Sequence, residues 1–228
     1  MAQQFDQYTT TYEEELAKSL SASGESRDYF AAGRVAWLAK CLDKLEVKAN
    51  HVLDFGCGDG LTTPMLLSGL GATSAVGTDV SEGTIAEALK RHAVDGVSYA
   101  PLSTYKPAGN IDVAYCNGVF HHIAPAERDE AVSIVRDSLR PGGLFALWEN
   151  NPWNPATRYV MSRCAFDEDA ITLTPPEARR LVVKNGFEIV RTDYRFIFPR
   201  ALRFMRWFEN LVYFTPLGTQ YMVLAQKI

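Results

Sequence analysis

The chain alternates between two hydrophobic rhythms. Short apolar runs rich in β-branched and aromatic residues fall at 51–55, 74–79, 97–100, 111–116, 143–149, 187–197 and 219–226, and these are read as strands. Between them, apolar residues recur every three or four positions at 61–70, 82–92, 126–139 and 175–185, the spacing of helices with one buried face. The last of these stops before Gly186, a residue suited to a helix C-cap. Residues 8–45 read as two helical pieces split by Ser21-Ala-Ser-Gly-Glu-Ser26, and the second piece sets Phe30, Val35, Leu38 and Leu42 on one side. A helix-like segment at 200–213 is apolar nearly all round, with Arg200, Arg203 and Arg206 along its first turns. Burial against the domain is expected of such a segment. A lid, a dimer surface or an interfacial element for a lipid-linked acceptor are the alternatives. Strands and helices alternating at these lengths build an α/β fold, a doubly wound and mostly parallel sheet.

Bulk properties narrow the picture. At 228 residues the chain suffices for one well-buried domain with an extension. A net charge of −4 disfavours a nucleic-acid partner, which would want a basic surface. Cys41, Cys57, Cys116 and Cys164 are scattered with no C-x-x-C pair, so neither a zinc site nor a disulfide framework is indicated. The first residues do not form a secretory leader and no apolar run approaches membrane-spanning length, so a cytoplasmic protein is expected.

The candidate chemistry begins at His51-Val-Leu-Asp-Phe-Gly-Cys-Gly-Asp-Gly60, a strand running into a glycine turn before a helix. Such a turn presents backbone N–H groups and a positive helix end to a ligand. The spacing is not that of a dinucleotide fingerprint, because Leu61 stands where the third glycine belongs. Asp54 would repel a pyrophosphate and suits a cation such as an amino group. No Gly-Lys-Ser/Thr follows, so a P-loop is excluded. Asp79 ends the second strand, where a carboxylate can accept from both hydroxyls of a ribose. Capping of the helix that follows is the bland alternative.

The pattern D-x-G-x-G-x-G, Asp79, and the phrase Leu139-Arg-Pro-Gly-Gly-Leu-Phe-Ala146 together resemble the class I S-adenosylmethionine-dependent methyltransferases. The resemblance implies a Rossmann-like sheet of seven strands over 46–228, the last antiparallel to the rest, with a helical insertion around 200–214. It also implies a helical extension over 1–45 that lids the cofactor. Asp54, Gly56, Cys57 and Gly58 would wrap the amino-acid end of S-adenosyl-L-methionine, and Asp79 with Val80 would meet its ribose. Leu102 and Ser103 would face the adenine, although many relatives carry an acid at the position of Ser103. Asn117 and Gly118 would touch the cofactor through main chain, Val119 would wall it, and Tyr29 and Arg34 would close over it. Ser23-Gly-Glu-Ser-Arg-Asp-Tyr-Phe30 and Asn151-Pro-Trp-Asn-Pro155 suggest a narrower bacterial subgroup.

On the acceptor side, His121 and His122 follow the fourth strand, where one of them would orient an acceptor hydroxyl or take its proton, and the resemblance favours His122. A structural role for either histidine is equally weighted. A metal site is disfavoured, because adjacent histidines are expected to point apart and neither His51 nor His92 lies at ligand spacing. Glu149, Asn150 and Asn151 are acceptor-pocket candidates, with Glu149 a candidate base, against the alternative of a polar turn stiffened by prolines. The expected activity is methyl transfer to a small-molecule or lipid- or sugar-linked acceptor, with oxygen ahead of carbon or nitrogen. A nicotinamide-dependent oxidoreductase and a non-catalytic S-adenosylmethionine-binding protein are the rivals. A homodimer and weak peripheral membrane contact are compatible with the sequence.

Overall fold

Side chains on a strand point alternately to its two faces, and burial on both faces marks the centre of the sheet. In the computed structural model, which describes residues 23–164 and 167–228, β1 (His51–Phe55), β4 (Ile111–Asn117) and β5 (Leu139–Asn150) are the most buried strands of the parallel part. Leu53 and Phe55 join Ala114, Cys116, Phe145 and Leu147 in one apolar layer. Val52, Val113, Tyr115, Leu144 and Trp148 face the other way.

Both layers are closed by helices, as a buried parallel sheet requires. α1 (Arg27–Leu45) and α2 (Thr63–Gly69) cover the second layer through Val35, Leu38, Leu42 and Leu66. α3 (Glu82–His92) packs through Ile85 and Ala88 beside β2 (Ser74–Asp79) and β3 (Val97–Pro101). α4 (Arg128–Ser138) packs onto the first layer through Val132 and Val135. With α5 (Pro155–Met161) following β5, α6 (Pro175–Lys184) joins α4 on that layer through Ala178 and Val182. The seven-stranded sheet, completed by β6 (Phe187–Arg195) and β7 (Gln220–Lys227), runs β3-β2-β1-β4-β5-β7-β6. β7 is antiparallel to both of its neighbours. Strand order reverses between β1 and β4, and the crevice beyond their carboxyl ends is where ligands sit in open sheets of this kind.

The expected strands and helices are present, and three places differ. First, β5 begins at Leu139, because the ladder pairs Leu139 with Ile111 and then Leu144 with Val113. Arg140, Pro141, Gly142 and Gly143 therefore loop out within the strand, with Gly142 at φ 73°, and Arg140 Nε donates to Asp112 Oδ1 at 2.6 Å across the break. Second, α5 was not read from the sequence. Asn154 caps it, accepting from the N–H groups of Ala156 and Thr157 at 2.8 and 3.2 Å.

Third, the 200–213 segment is a 3-10 helix, Arg200–Phe208, running into the short α7 (Glu209–Val212), and no residue of Arg200–Phe208 is buried. The expected burial against the domain is overturned there, with Phe204 70% and Trp207 69% exposed. The helical piece read before residue 23 lies outside the described residues.

The chain returns to β7 through Gly218, where a Cβ would stand 2.4 Å from both the backbone N and O of Arg195. Backbone on a paired strand cannot yield as a side chain can. Gly218→Ala is expected to lower stability by about 2 kcal/mol, a fall in Tm of roughly 4–8 °C, measured by thermal unfolding; an unchanged Tm would refute the close-packing account.

Candidate active site

The turn after β1 is folded back over the tip of β2. The N–H groups of Gly56 and Cys57 both donate to Thr78 O, at 2.8 and 3.0 Å. Gly56 has φ 73°, and a Cβ on it would lie 2.3 Å from Val119 Cγ2, so only glycine allows the turn to touch the loop after β4. Asp79 ties the same corner: Gly58 N donates to its Oδ2 at 2.9 Å and Ser81 N to its Oδ1 at 3.0 Å. The cap of α3 is Ser81, whose hydroxyl accepts from Thr84 N. Asp79 is therefore more than a helix cap, since it also holds the glycine turn.

Asp54 lies buried on β1 and accepts from Thr63 Oγ1 at 2.7 Å. Burial is the largest influence on its carboxyl, which is pushed up to about 7. Burial also raises Asp79, against the pull of its N–H donors. Asp59, in the same turn, goes the other way. Burial works to raise it, but a bidentate pair with Arg27, at 2.7 and 2.8 Å, holds it below the usual carboxylate range.

These groups surround a cavity of about 670 Å³. Asp54, Gly56, Cys57, Gly58, Asp79, Val80, Leu102, Asn117, Gly118, Val119, Tyr29 and Arg34 all line it, as do His121, His122 and Asn150. Two buried oxygens on this wall, Thr78 Oγ1 and Asn117 Oδ1, have no hydrogen-bond partner among the described residues. Buried polar atoms are rarely left so, and a ligand bearing ammonium and hydroxyl donors fits the wall. Arg34 donates to Tyr115 Oη at 2.8 Å and to Gln220 Oε1 at 3.0 Å, which fixes its guanidinium at the wall.

Three candidates are not on the wall. Ser103 is exposed in the turn after β3, while the preceding Leu102 is held in by its N–H on Asp79 O at 2.7 Å. Glu149 points into the interior, where it accepts from Phe120 N at 2.8 Å and binds His121 Nδ1 at 2.6 Å. Asn151 is buried, and its Nδ2 donates to the carbonyls of Pro216 and Gly218, so it locks a loop. Conversely, Arg27, Asp59, Tyr115, Asp167 and Gln220 line the cavity without having been singled out. Asp59 alone had a signal, its place inside the glycine turn.

The two histidines do not point apart as expected. Their rings lie 4.1 Å apart, and both Nε2 atoms approach Asp167 Oδ1, at 3.4 Å from His121 and 3.7 Å from His122. Burial works to lower His121, but Glu149 and Asp167, one at each ring nitrogen, raise it well above an ordinary histidine. Burial and the charge on His121 lower His122. One imidazolium fixed between two carboxylates thus sits beside a neutral imidazole. His121, His122 and Asp167 offer ligand atoms within 4.8 Å of one another, the dimensions of a cation site.

Residues 53–145 match the family described as a methyltransferase domain. A trans-aconitate 2-methyltransferase of Acidovorax sp. (strain JS42) is 24% identical over 177 residues, spanning 71% of this chain and 67% of that protein. In fold the chain is similar to an S-adenosylmethionine-dependent methyltransferase from Mesorhizobium loti, with a TM-score of 0.60 at 20% identity over 82% of this chain and 96% of that one. It is also similar to magnesium protoporphyrin IX methyltransferase from Synechocystis PCC 6803 with bound SAH, with a TM-score of 0.62 at 18% identity over 98% and 97% of the two chains. The glycine turn thus falls within a matched methyltransferase domain, and the sheet order is set in a fold shared with S-adenosylmethionine-dependent methyltransferases.

Proposed function

We propose that the chain methylates an oxygen of a small-molecule or lipid- or sugar-linked acceptor, in the part of the cavity walled by His121 and His122. The observation that carries the reading is the pair of rings 4.1 Å apart beyond the carboxyl end of β4, with His121 anchored by Glu149 and Asp167 and His122 beside it on the cavity wall. S-adenosylmethionine, when bound, supplies a methyl group on a good sulfur leaving group.

The chain's own residues align and desolvate the reactants. Asp54 and Asn117 Oδ1 take the ammonium of the cofactor, Asp79 accepts from the ribose hydroxyls, and Val80 and Leu102 pack against the adenine. Gly56, Cys57, Gly58, Gly118 and Val119 shape the wall by close approach. In this reading Tyr29 and Arg34 on α1 close over the cofactor, and α1 is latched to the glycine turn by the Arg27–Asp59 pair. His122 accepts the acceptor's proton. His121 has a carboxylate at both nitrogens and holds charge and position instead, with Glu149 as its positioning residue.

A carboxylate oxygen is the second reading, favoured by the matched trans-aconitate 2-methyltransferase. The two readings part in one assay. Methyl-labelled S-adenosylmethionine is incubated with fractionated cell extract, and the label is then treated with base. An ether methyl stays, an ester methyl leaves as methanol, and label on nitrogen or carbon would sink both. Once label is found, His122→Ala is expected to slow transfer about a hundredfold with cofactor affinity unchanged; an unaltered rate would remove His122 as the base.

Asp54 gives a second expectation. Its carboxyl titrates near pH 7 in the free protein because it is buried, and a bound ammonium favours the ionised form. Above pH 7 the site is ready. Below it a proton must leave first, so the Kd for S-adenosylmethionine should rise about tenfold per pH unit. Isothermal titration from pH 5 to 8 checks this, and Asp54→Asn should give weak binding with no such slope. A flat profile in the wild-type chain would show that Asp54 does not meet the ammonium.

A further inference from the structure

Beyond the reaction itself, we propose that the rim of the cavity, built from residues 153–163 and 199–217, is a docking surface for an anionic lipid bilayer. The apolar exposure there is large and contiguous in sequence: Phe204 70%, Trp207 69%, Leu211 57%, Phe214 65% and Leu217 56%. Trp153 and Tyr159 of the other segment are about half exposed. Soluble chains seldom leave so many large apolar side chains in water without a partner for them.

Two segments make one surface. Asn154 Nδ2 donates to Leu217 O at 2.7 Å, Thr157 Oγ1 to Thr219 O at 2.7 Å, and Asn151 Nδ2 to the carbonyls of Pro216 and Gly218. The loop that carries Phe214 and Leu217 is thereby fastened to the start of α5.

Charge selects the occupant. The chain as a whole carries −4, yet residues 151–164 contain no acid and residues 196–219 contain only Glu209. Glu209 is buried, accepting from the N–H groups of Ile197 and Phe198 at 3.1 and 2.9 Å. Arg158, Arg163, Arg200 and Arg203 are exposed on the same two segments. Exposed aromatic and aliphatic side chains beside exposed arginines, on two segments whose one acid is buried, suit an anionic headgroup layer. No helix of the described residues is long and apolar enough to cross a membrane, so the contact is peripheral.

Tyr159, Val160 and Pro199 of these segments also line the cavity, so the docked face borders its mouth. Delivery of a lipid-linked acceptor through that mouth rests on the methyl-transfer reading; attachment to the bilayer does not.

The test is co-sedimentation of the full chain with sucrose-loaded vesicles of phosphatidylcholine, alone or mixed with phosphatidylglycerol. Binding to the mixed vesicles only, weakening as salt is raised, is expected. Phe204→Ser with Trp207→Ser, and separately Arg200→Glu with Arg203→Glu, should each lower partitioning by about tenfold or more while Tm and S-adenosylmethionine affinity hold. A wild-type chain that stays in the supernatant overturns the proposal, as do variants that sediment equally well. A dimer seen by light scattering and broken by the Phe204 and Trp207 changes, without vesicle binding, would assign the face to a second copy and also overturn it.

Discussion

The contact between Gly56 and Val119 sets the geometry on which the rest of the site depends. At that point the turn leaving β1 touches the loop leaving β4, across the position where strand order reverses. The turn cannot move toward the sheet, because two of its N–H groups share the carbonyl of Thr78. Nor can it swing outward without breaking the Gly58–Asp79 bond. Three strand ends are thus referenced to one another by backbone atoms, which have few ways to relax. The Asp54 and Asp79 carboxylates and the histidine pair inherit that precision from the main chain.

The same corner concentrates negative charge. Asp54, Asp59 and Asp79 stand around one turn, and the structure treats them differently. Asp59 is paired with Arg27 and stays ionised, while Asp54 and Asp79 are raised by burial. A site that raises its own carboxylates is destabilised in isolation and is relieved by a cation. At the histidine cluster the positive charge of His121 is already engaged, by Glu149 on one side and Asp167 on the other. The glycine-turn end of the cavity is therefore suited to a positive group such as an ammonium.

Much of this was legible in the residues, and the limits have physical causes. Strand runs and the glycine turn were readable because local sterics dictate them: period-two burial, and a Cβ that Gly56 cannot carry. Asp79 was readable from its place at a strand tip. Glu149 was misread as a wall residue because strand parity turns it to the face of Leu147, where His121 meets it. Ser103 was carried over by alignment onto a turn that the chain exposes. Asp167 had no signal at all, since its partners lie more than forty residues upstream. For 200–213 the apolar composition was read correctly and its environment wrongly, because periodicity reports which side chains are apolar and not what covers them.

The first turn of α1 makes two attachments at neighbouring positions. Arg27 binds Asp59 in the glycine turn at 2.7 Å, and Glu25, just before the helix, binds Arg206 in the exposed aromatic segment at 2.8 Å. The interior ligand site and the outer face are therefore hinged on the same few residues of backbone. Whatever free energy passes through that hinge obeys reciprocity: if filling the cavity changes how strongly the face holds its partner, engagement of the face changes how strongly the cavity holds its ligand, by the same factor.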